Sequence, residues 1–113
     1  MFVKSLVWIG TSLKAVQDFP DLARKEIGYQ LYRIQKGLEA SDWKPMATLG
    51  KGVREIRIHT GEEFRVIYIA RFEDAIYILH AFQKKSRSTH KRDLALAGSR
   101  LKRLIQSRKA KPK

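Results

Sequence analysis

Three cationic side chains, Arg57, Arg65 and Lys85, lie in a stretch where apolar and polar residues alternate with the period-2 pattern of β-strands. That alternation puts them on one side of three successive strands, together with Glu55, His59, Tyr77, Leu79 and Gln83, and with Ile67 and Ile69 between. Guanidinium and ammonium groups carried on rigid strands make a preorganised phosphate site, which the same charges on a tail do not. Taken singly, each arginine can equally pair with Glu55, Glu62 or Glu63. The opposite side carries Ile56, Ile58, Phe64, Val66, Tyr68, Ile76, Ile78, His80 and Phe82, and reads as the core face.

The histidines divide by position. His80 falls between Ile78 and Phe82 and reads as a satisfied core histidine. His59, near a turn, fits either role, and His90, at the start of the last helix, is a candidate acid–base group. They are separated by 21 and 10 residues, without the i, i+4 spacing of a helical metal pair, so no metal site is expected. Gly50-Lys51-Gly52 is too short for a phosphate loop. The chain has no cysteine, which excludes disulfides, Cys-zinc sites and thiol catalysis. No cofactor is expected.

The elements that must position these groups follow from the pattern around them. Met1–Gly10 reads as an apolar strand, and Thr11 or Ser12 as the cap of a short helix that must stop before Pro20. A second helix runs from Pro20 to Lys36, with Ala23, Ile27, Leu31, Ile34 and Leu38 on one face and Gly37 as a left-handed cap. Residues 39–52 read as a loop with a little strand. Strands Val53–Thr60, Glu63–Phe72 and Ala75–Lys84 follow, joined so tightly that they must form an antiparallel meander. A last helix, His90–Ser107, is marked by Leu94, Ala97, Leu101 and Leu104, and Arg108–Lys113 is a basic tail expected to fray. Trp8 and Trp43 read as packing residues. The order β-α-α-β-β-β-α defines an α+β fold: a small antiparallel sheet with two N-terminal helices packed on one face and a C-terminal helix. At 113 residues with 43% hydrophobic content it is one domain, residues 1–107.

Charge is distributed unevenly. Of the net +13, residues 1–83 contribute +2 and residues 84–113 contribute +11, with Asp93 as the only acid in the latter. Such a terminus attracts polyanions by counterion release, which favours nucleic acid or ribosome over a merely solvated tail or an anionic membrane surface. The longest charge-free stretches, Ser5–Leu13 and Ala75–Gln83, have nine residues each. A spanning helix needs roughly 18. The start does not read as a secretory leader, and the cytoplasm is the expected address.

The sequence resembles the RelE/HigB superfamily of toxin–antitoxin toxins, in its phage-derived HigB-like branch. The resemblance rests on Trp8-Ile9-Gly10, Asp18-Phe19-Pro20, Gln35-Lys36-Gly37, Lys44-Pro45-Met46, Gly52-Val53-Arg54-Glu55-Ile56-Arg57, Phe64-Arg65-Val66-Ile67-Tyr68 and Leu79-His80-Ala81-Phe82-Gln83-Lys84-Lys85, in order and spacing across residues 2–100. It implies a ribosome-dependent, metal-independent endoribonuclease that cuts translated mRNA and inhibits translation and growth. It also implies a neutralising antitoxin of helix-turn-helix type. Arg65 matches the sheet arginine that holds the scissile phosphate, Lys85 a basic residue acting on the leaving group, and Arg57 a family lysine. Glu55 stands where another basic residue can occur. A tyrosine used by some relatives has no counterpart, since residues 86–92 read Ser-Arg-Ser-Thr-His-Lys-Arg; His90 or Lys91 is the substitute, and the identity of the base stays open. Crowding by other cations disfavours the charged form of a lysine, a condition that adjacent Lys84 and Lys85 beside Arg87 meet. Arg54, Arg87, Lys91 and Arg92 are expected to add RNA contacts. A partner with acidic and apolar side chains could mask the Arg57/Arg65/Ile67/Leu79/Lys85 face, or pack against the N-terminal helices. The alternative function is a non-enzymatic nucleic-acid-binding or interaction domain on the same fold.

Overall fold

The computed structural model describes residues 3–87 and 90–110. Strand β1 (Ser5–Trp8) leads into helices α1 (Ser12–Gln17) and α2 (Asp21–Gln35). Strands β2 (Trp43–Pro45), β3 (Val53–His59), β4 (Glu63–Ile69) and β5 (Ala75–Gln83) follow, and helix α3 (Lys91–Ala110) closes the chain. The strands form one sheet in the order β1-β5-β4-β3-β2. β3, β4 and β5 are the expected antiparallel meander. β1 instead lies parallel to β5, pairing Ser5 with Ala75 through Trp8 with Ile78, so the sheet is mixed rather than wholly antiparallel. Alternation within β1 dictates which side chains face inward, not the direction of a partner so distant in sequence.

The sheet separates two apolar layers. On one face, Ala23, Ile27, Leu31 and Ile34 of α2 and Val16 of α1 pack on Ile56, Ile58, Phe64, Val66, Tyr68, Ile76 and Ile78. On the other, Ala97 and Leu101 of α3 pack on Ile67, Ile69, Tyr77 and Leu79. Leu38 does not continue the α2 stripe: the helix ends at Gln35, Gly37 takes φ +86°, and Leu38 is 50% exposed. Neither Thr11 nor Ser12 caps α1 through its side chain. The Ser12 hydroxyl donates to the Ile78 carbonyl at 3.0 Å, and the Thr11 hydroxyl accepts from Arg100 at 2.8 Å.

A β-bulge in β5 changes what the sheet displays. Ile67 pairs with His80 while Tyr68 pairs with Ile78, so Leu79 is an extra residue and the two-residue period breaks there. His80 and Phe82, expected on the α2 face, therefore point to the α3 face, and Ala81 takes the core position opposite Val66. Gln83 changes sides in the same way; it pairs with Phe64 and donates to Glu62 at 2.6 Å. The bulge is tied down by Arg100 of α3, whose guanidinium donates to the Leu79 carbonyl at 2.8 Å. Burial lowers the Arg100 pKa from its ordinary value. Gly10, at φ +56°, makes room for that side chain, since a Cβ there would lie 2.7 Å from Arg100 Nε. Arg100→Ala is expected to lower stability by about 1.5–3 kcal/mol, as for a lost hydrogen bond to a charged group. Urea unfolding checks this, and a change below 0.5 kcal/mol (roughly the surface-substitution range) would mean that Arg100 does not hold the bulge.

α3 extends past the expected boundary, and Arg108 is not frayed. It donates to Asp74 at 3.1 Å and to the Tyr77 hydroxyl at 3.0 Å, and lies 4.0 Å above the Phe72 ring. Among the described residues no helix is long and apolar enough to cross a membrane.

Candidate active site

α3 covers only the end of its sheet face that carries Ile67, Ile69, Tyr77 and Leu79. The other end stays open, and there β3 supplies Glu55 and Arg57, β4 supplies Arg65, and β5 runs out through Phe82 into Lys84. Register sets Arg57 directly opposite Arg65, and Arg65 opposite Phe82. Two like charges facing across a ladder repel, and a buried carboxylate offsets this. Glu55, 6% exposed, lies 3.8 Å from Arg57 Nε, 3.9 Å from Arg65 Nε and 3.9 Å from Lys44 Nζ of β2. Arg65, 7% exposed, is fixed further by donating to the Phe64 carbonyl at 2.9 Å and to Glu63 at 3.1 Å. Pairing with Glu55 and Glu63 is thus real, and it aims the guanidinium rather than replacing the site. Arg57 Nε stays buried without a hydrogen-bond partner.

Two cavities open beside this cluster. One, of about 240 Å³, is bounded by Lys44, Glu55, Phe82, Lys84, Arg87 and His90. The second, of about 430 Å³, is bounded by Glu63, Arg65, Lys84, Lys85, Ser86 and Arg87. Lys84 and Arg87 belong to both. Neither of these two, nor Lys85, makes an ion pair among the described residues, so three cations are available to a ligand. The bulge decides which lysine follows the strand in phase with Phe82. Lys84 continues the Phe82 phase and its backbone N–H donates to the Glu63 carbonyl at 2.8 Å, whereas Lys85 lies one residue beyond and reaches only the second cavity.

His90 comes with partners that sequence reasoning missed. Asp93, in the first turn of α3, bridges two histidines: its Oδ1 lies 2.7 Å from His80 Nε2 and its Oδ2 lies 3.6 Å from His90 Nδ1. Phe82 lies between the rings, 5.5 Å from His80 and 5.4 Å from His90 by centroid. His90 Nε2 is buried with no partner. His80 is thus no core histidine of the α2 face but the second anchor of Asp93. The one signal was the isolation of Asp93 among the basic residues of the last quarter.

Arginine 57 and 65, lysine 84 and 85, Arg87 and His90 are therefore brought together. Arg54 is not: it points to the α2 side, where it stacks 3.9 Å above Trp43. Lys91 and Arg92 are exposed on the first turn of α3 and line neither cavity. Ser88 and Thr89 lie outside the described residues. The apolar half of the face suggested for a partner is absent, since Ile67 and Leu79 are buried under α3.

His59, at the rim, bonds Asp42 at 2.7 Å through Nε2 and Glu63 at 2.9 Å through Nδ1. The Asp42 bond first, then that of Glu63, raises its pKa above 6.5. A raised folded-state pKa gives stabilisation that is complete below the unfolded value and lost as pH rises through the folded one. Stability is expected to fall by about 0.5 kcal/mol over that rise, as for an exposed pair, and His59→Gln should remove the step. Denaturant midpoints at successive pH values check it; an unaltered step in the variant would assign it elsewhere.

The chain and its fold have counterparts. The family model described as "Phage derived protein Gp49-like (DUF891)" matches residues 14–102. No curated protein matches the sequence. Among solved structures, a double arginine-to-alanine mutant of the E. coli toxin RelE in the free state is similar in fold. Its TM-score is 0.60 at 14% identity, over 90% of this chain and 98% of that one.

Proposed function

Since the chain belongs to the phage-derived Gp49-like family, a RelE/HigB-like toxin family, we propose that it is the toxin of a toxin–antitoxin pair and acts as a ribosome-dependent endoribonuclease on translated mRNA. The observation that carries this reading is the buried, carboxylate-aimed Arg65 set on one open cavity beside Lys84, Lys85 and Arg87, three cations with no ion pair among the described residues. That arrangement suits a phosphodiester whose negative charge grows during reaction.

The chemistry needs no metal. The 2′ oxygen of the RNA attacks the adjacent phosphorus, the bond from phosphorus to the 5′ oxygen breaks, and the products are a 2′,3′-cyclic phosphate and a 5′-hydroxyl. Arg65, with Arg57 behind it, stabilises the phosphorane through its planar fork. His90 accepts the 2′-hydroxyl proton at Nε2, while the Asp93 carboxylate, 3.6 Å from Nδ1 on the far side of the ring, offsets the charge that develops there. Lys84 and Lys85 hold the phosphate oxygens and protonate the departing 5′ oxygen. Arg87 steers the backbone, and Lys91 and Arg92 lie outward of it for strand or ribosomal RNA contacts. The ribosome and mRNA are the working partners, in the cytoplasm, and a helix-turn-helix antitoxin is the neutralising one.

Induced expression in a bacterial host, with growth followed and 5′ ends of cellular mRNA mapped, tests the proposal. Growth arrest with new cuts confined to translated regions is expected. Soluble, folded protein that causes neither would favour a non-enzymatic binding domain, a reading to which the Glu55 and Glu63 pairing of both sheet arginines lends itself.

A further inference from the structure

We propose that the cavity walled by the end of α2, the start of β3 and the residues just past β4 is a pocket for a carboxylate on a partner peptide segment that combines acidic and apolar side chains. It measures about 340 Å³, with Ile34, Gly37 and Leu38 on one side and Arg54, Tyr68 and Arg71 on the other. It lies on the α2 side of the sheet, away from Arg65 and Lys84, and does not depend on the nuclease reading.

What the pocket leaves without an acceptor is the Tyr68 hydroxyl. Tyr68 is 1% exposed, and its hydroxyl is buried with no hydrogen-bond partner. Burial raises the Tyr68 pKa, while the neighbouring Arg54 works against that. A guanidinium offers only donors, so Arg54 cannot accept the phenol proton. Arg54 itself rests on Trp43 and has no ion pair among the described residues. Arg71 uses Nε on the Lys51 carbonyl at 3.2 Å, and its guanidinium lies 4.4 Å from the Phe72 ring, with no carboxylate on it. Gly52, at φ +83°, admits the Arg71 stem against the backbone, since a Cβ there would lie 2.8 Å from Arg71 Cδ. Glu39 is the only acid in the lining, and the Trp43 indole N–H holds it at 3.1 Å. A carboxylate seated between Arg54 and Arg71 accepts from both and from the Tyr68 hydroxyl, supplying the missing acceptor.

The walls argue for a peptide over a nucleic acid. Ile34, Ala70 and the half-exposed Leu38 offer apolar contact that a sugar-phosphate chain does not use. Along α2, exposed Leu22, Tyr29 and Tyr32 form one stripe leading toward the Gly37 turn, interleaved with exposed Lys25 and Lys36. An acidic and apolar segment complements pocket and stripe together, which is the chemistry of selective protein docking.

The test is an NMR titration of the folded protein with N-acetyl-leucyl-glutamate, with its uncharged diamide, and with a short single-stranded RNA. The dipeptide is expected to shift Gly37, Leu38, Gly52 and Arg71 saturably with a roughly millimolar Kd, and the diamide to leave them unmoved. Tyr68→Phe and Arg54→Gln should each weaken binding about fivefold, the loss of one hydrogen bond. Tyr68→Phe should melt no lower than the parent, because it removes an unsatisfied hydroxyl; this separates a binding role from a structural one. No saturable shift, equal binding of the diamide, or unchanged affinity in both variants overturns the proposal. RNA that moves the same resonances more tightly than the dipeptide also overturns it, in favour of a phosphate site.

Discussion

Arg65→Ala is expected to reduce mRNA cleavage at least about 100-fold and to abolish growth arrest, the scale seen when one preorganised donor to a developing oxyanion is removed. The size follows from burial. Arg65 is fixed by the Phe64 carbonyl, Glu63 and Glu55 before any substrate arrives, so its fork needs no reorganisation when charge develops on the phosphate. The same burial makes alanine a hazard to folding, because Glu63 and Glu55 each lose a cation. Arg65→Lys separates the two effects: it keeps the charge near Glu55 but loses the planar, bidentate geometry, so it should fold as the parent does and still lose most activity. Melting temperature, growth and 5′-end mapping are the measurements. If both variants are folded and as toxic as the parent, Arg65 does not hold the scissile phosphate.

Asp93→Asn is the second large effect, a fall in the cleavage rate of roughly 10- to 100-fold, within what general acid–base catalysis supplies. Asp93 touches no substrate in this reading. It is a positioning residue, acting through His90 at 3.6 Å while anchored by His80 at 2.7 Å. Asparagine preserves shape and removes the carboxylate beside the ring, so the cleavage rate should fall while KM stays near the parent value. His90→Gln should cost at least as much, and the double variant little more than His90→Gln alone, since the two act as one unit. Additive losses would show that Asp93 merely holds α3 in place.

The meander and the α2 layer were legible because their signals are local. Alternation in β3 and β4 and the spacing of Ala23, Ile27, Leu31 and Ile34 each report a buried face without reference to the rest of the chain. Alternation failed in β5, where nothing in Ala75–Gln83 announces an extra residue: all nine side chains are apolar or uncharged, and either phase reads as a strand. The bulge at Leu79 is held by Arg100, from a helix that the strand meets only in the folded chain. One slipped residue then reversed His80, Phe82 and Gln83, and put Lys84 rather than Lys85 in phase with Phe82 just past the strand.

The sequence alone therefore determined the element order apart from β2, the family resemblance, the cationic end and Arg65 as a strand-borne arginine, because composition and short-period patterns are properties of neighbours along the chain. Tertiary structure decided that Lys84 borders both cavities and Lys85 only one, that Asp93 joins His80 to His90, and that Arg54 belongs to a different pocket. Those depend on register, on the side of the sheet that α3 covers, and on contacts between residues far apart in sequence, none of which leaves a periodic trace.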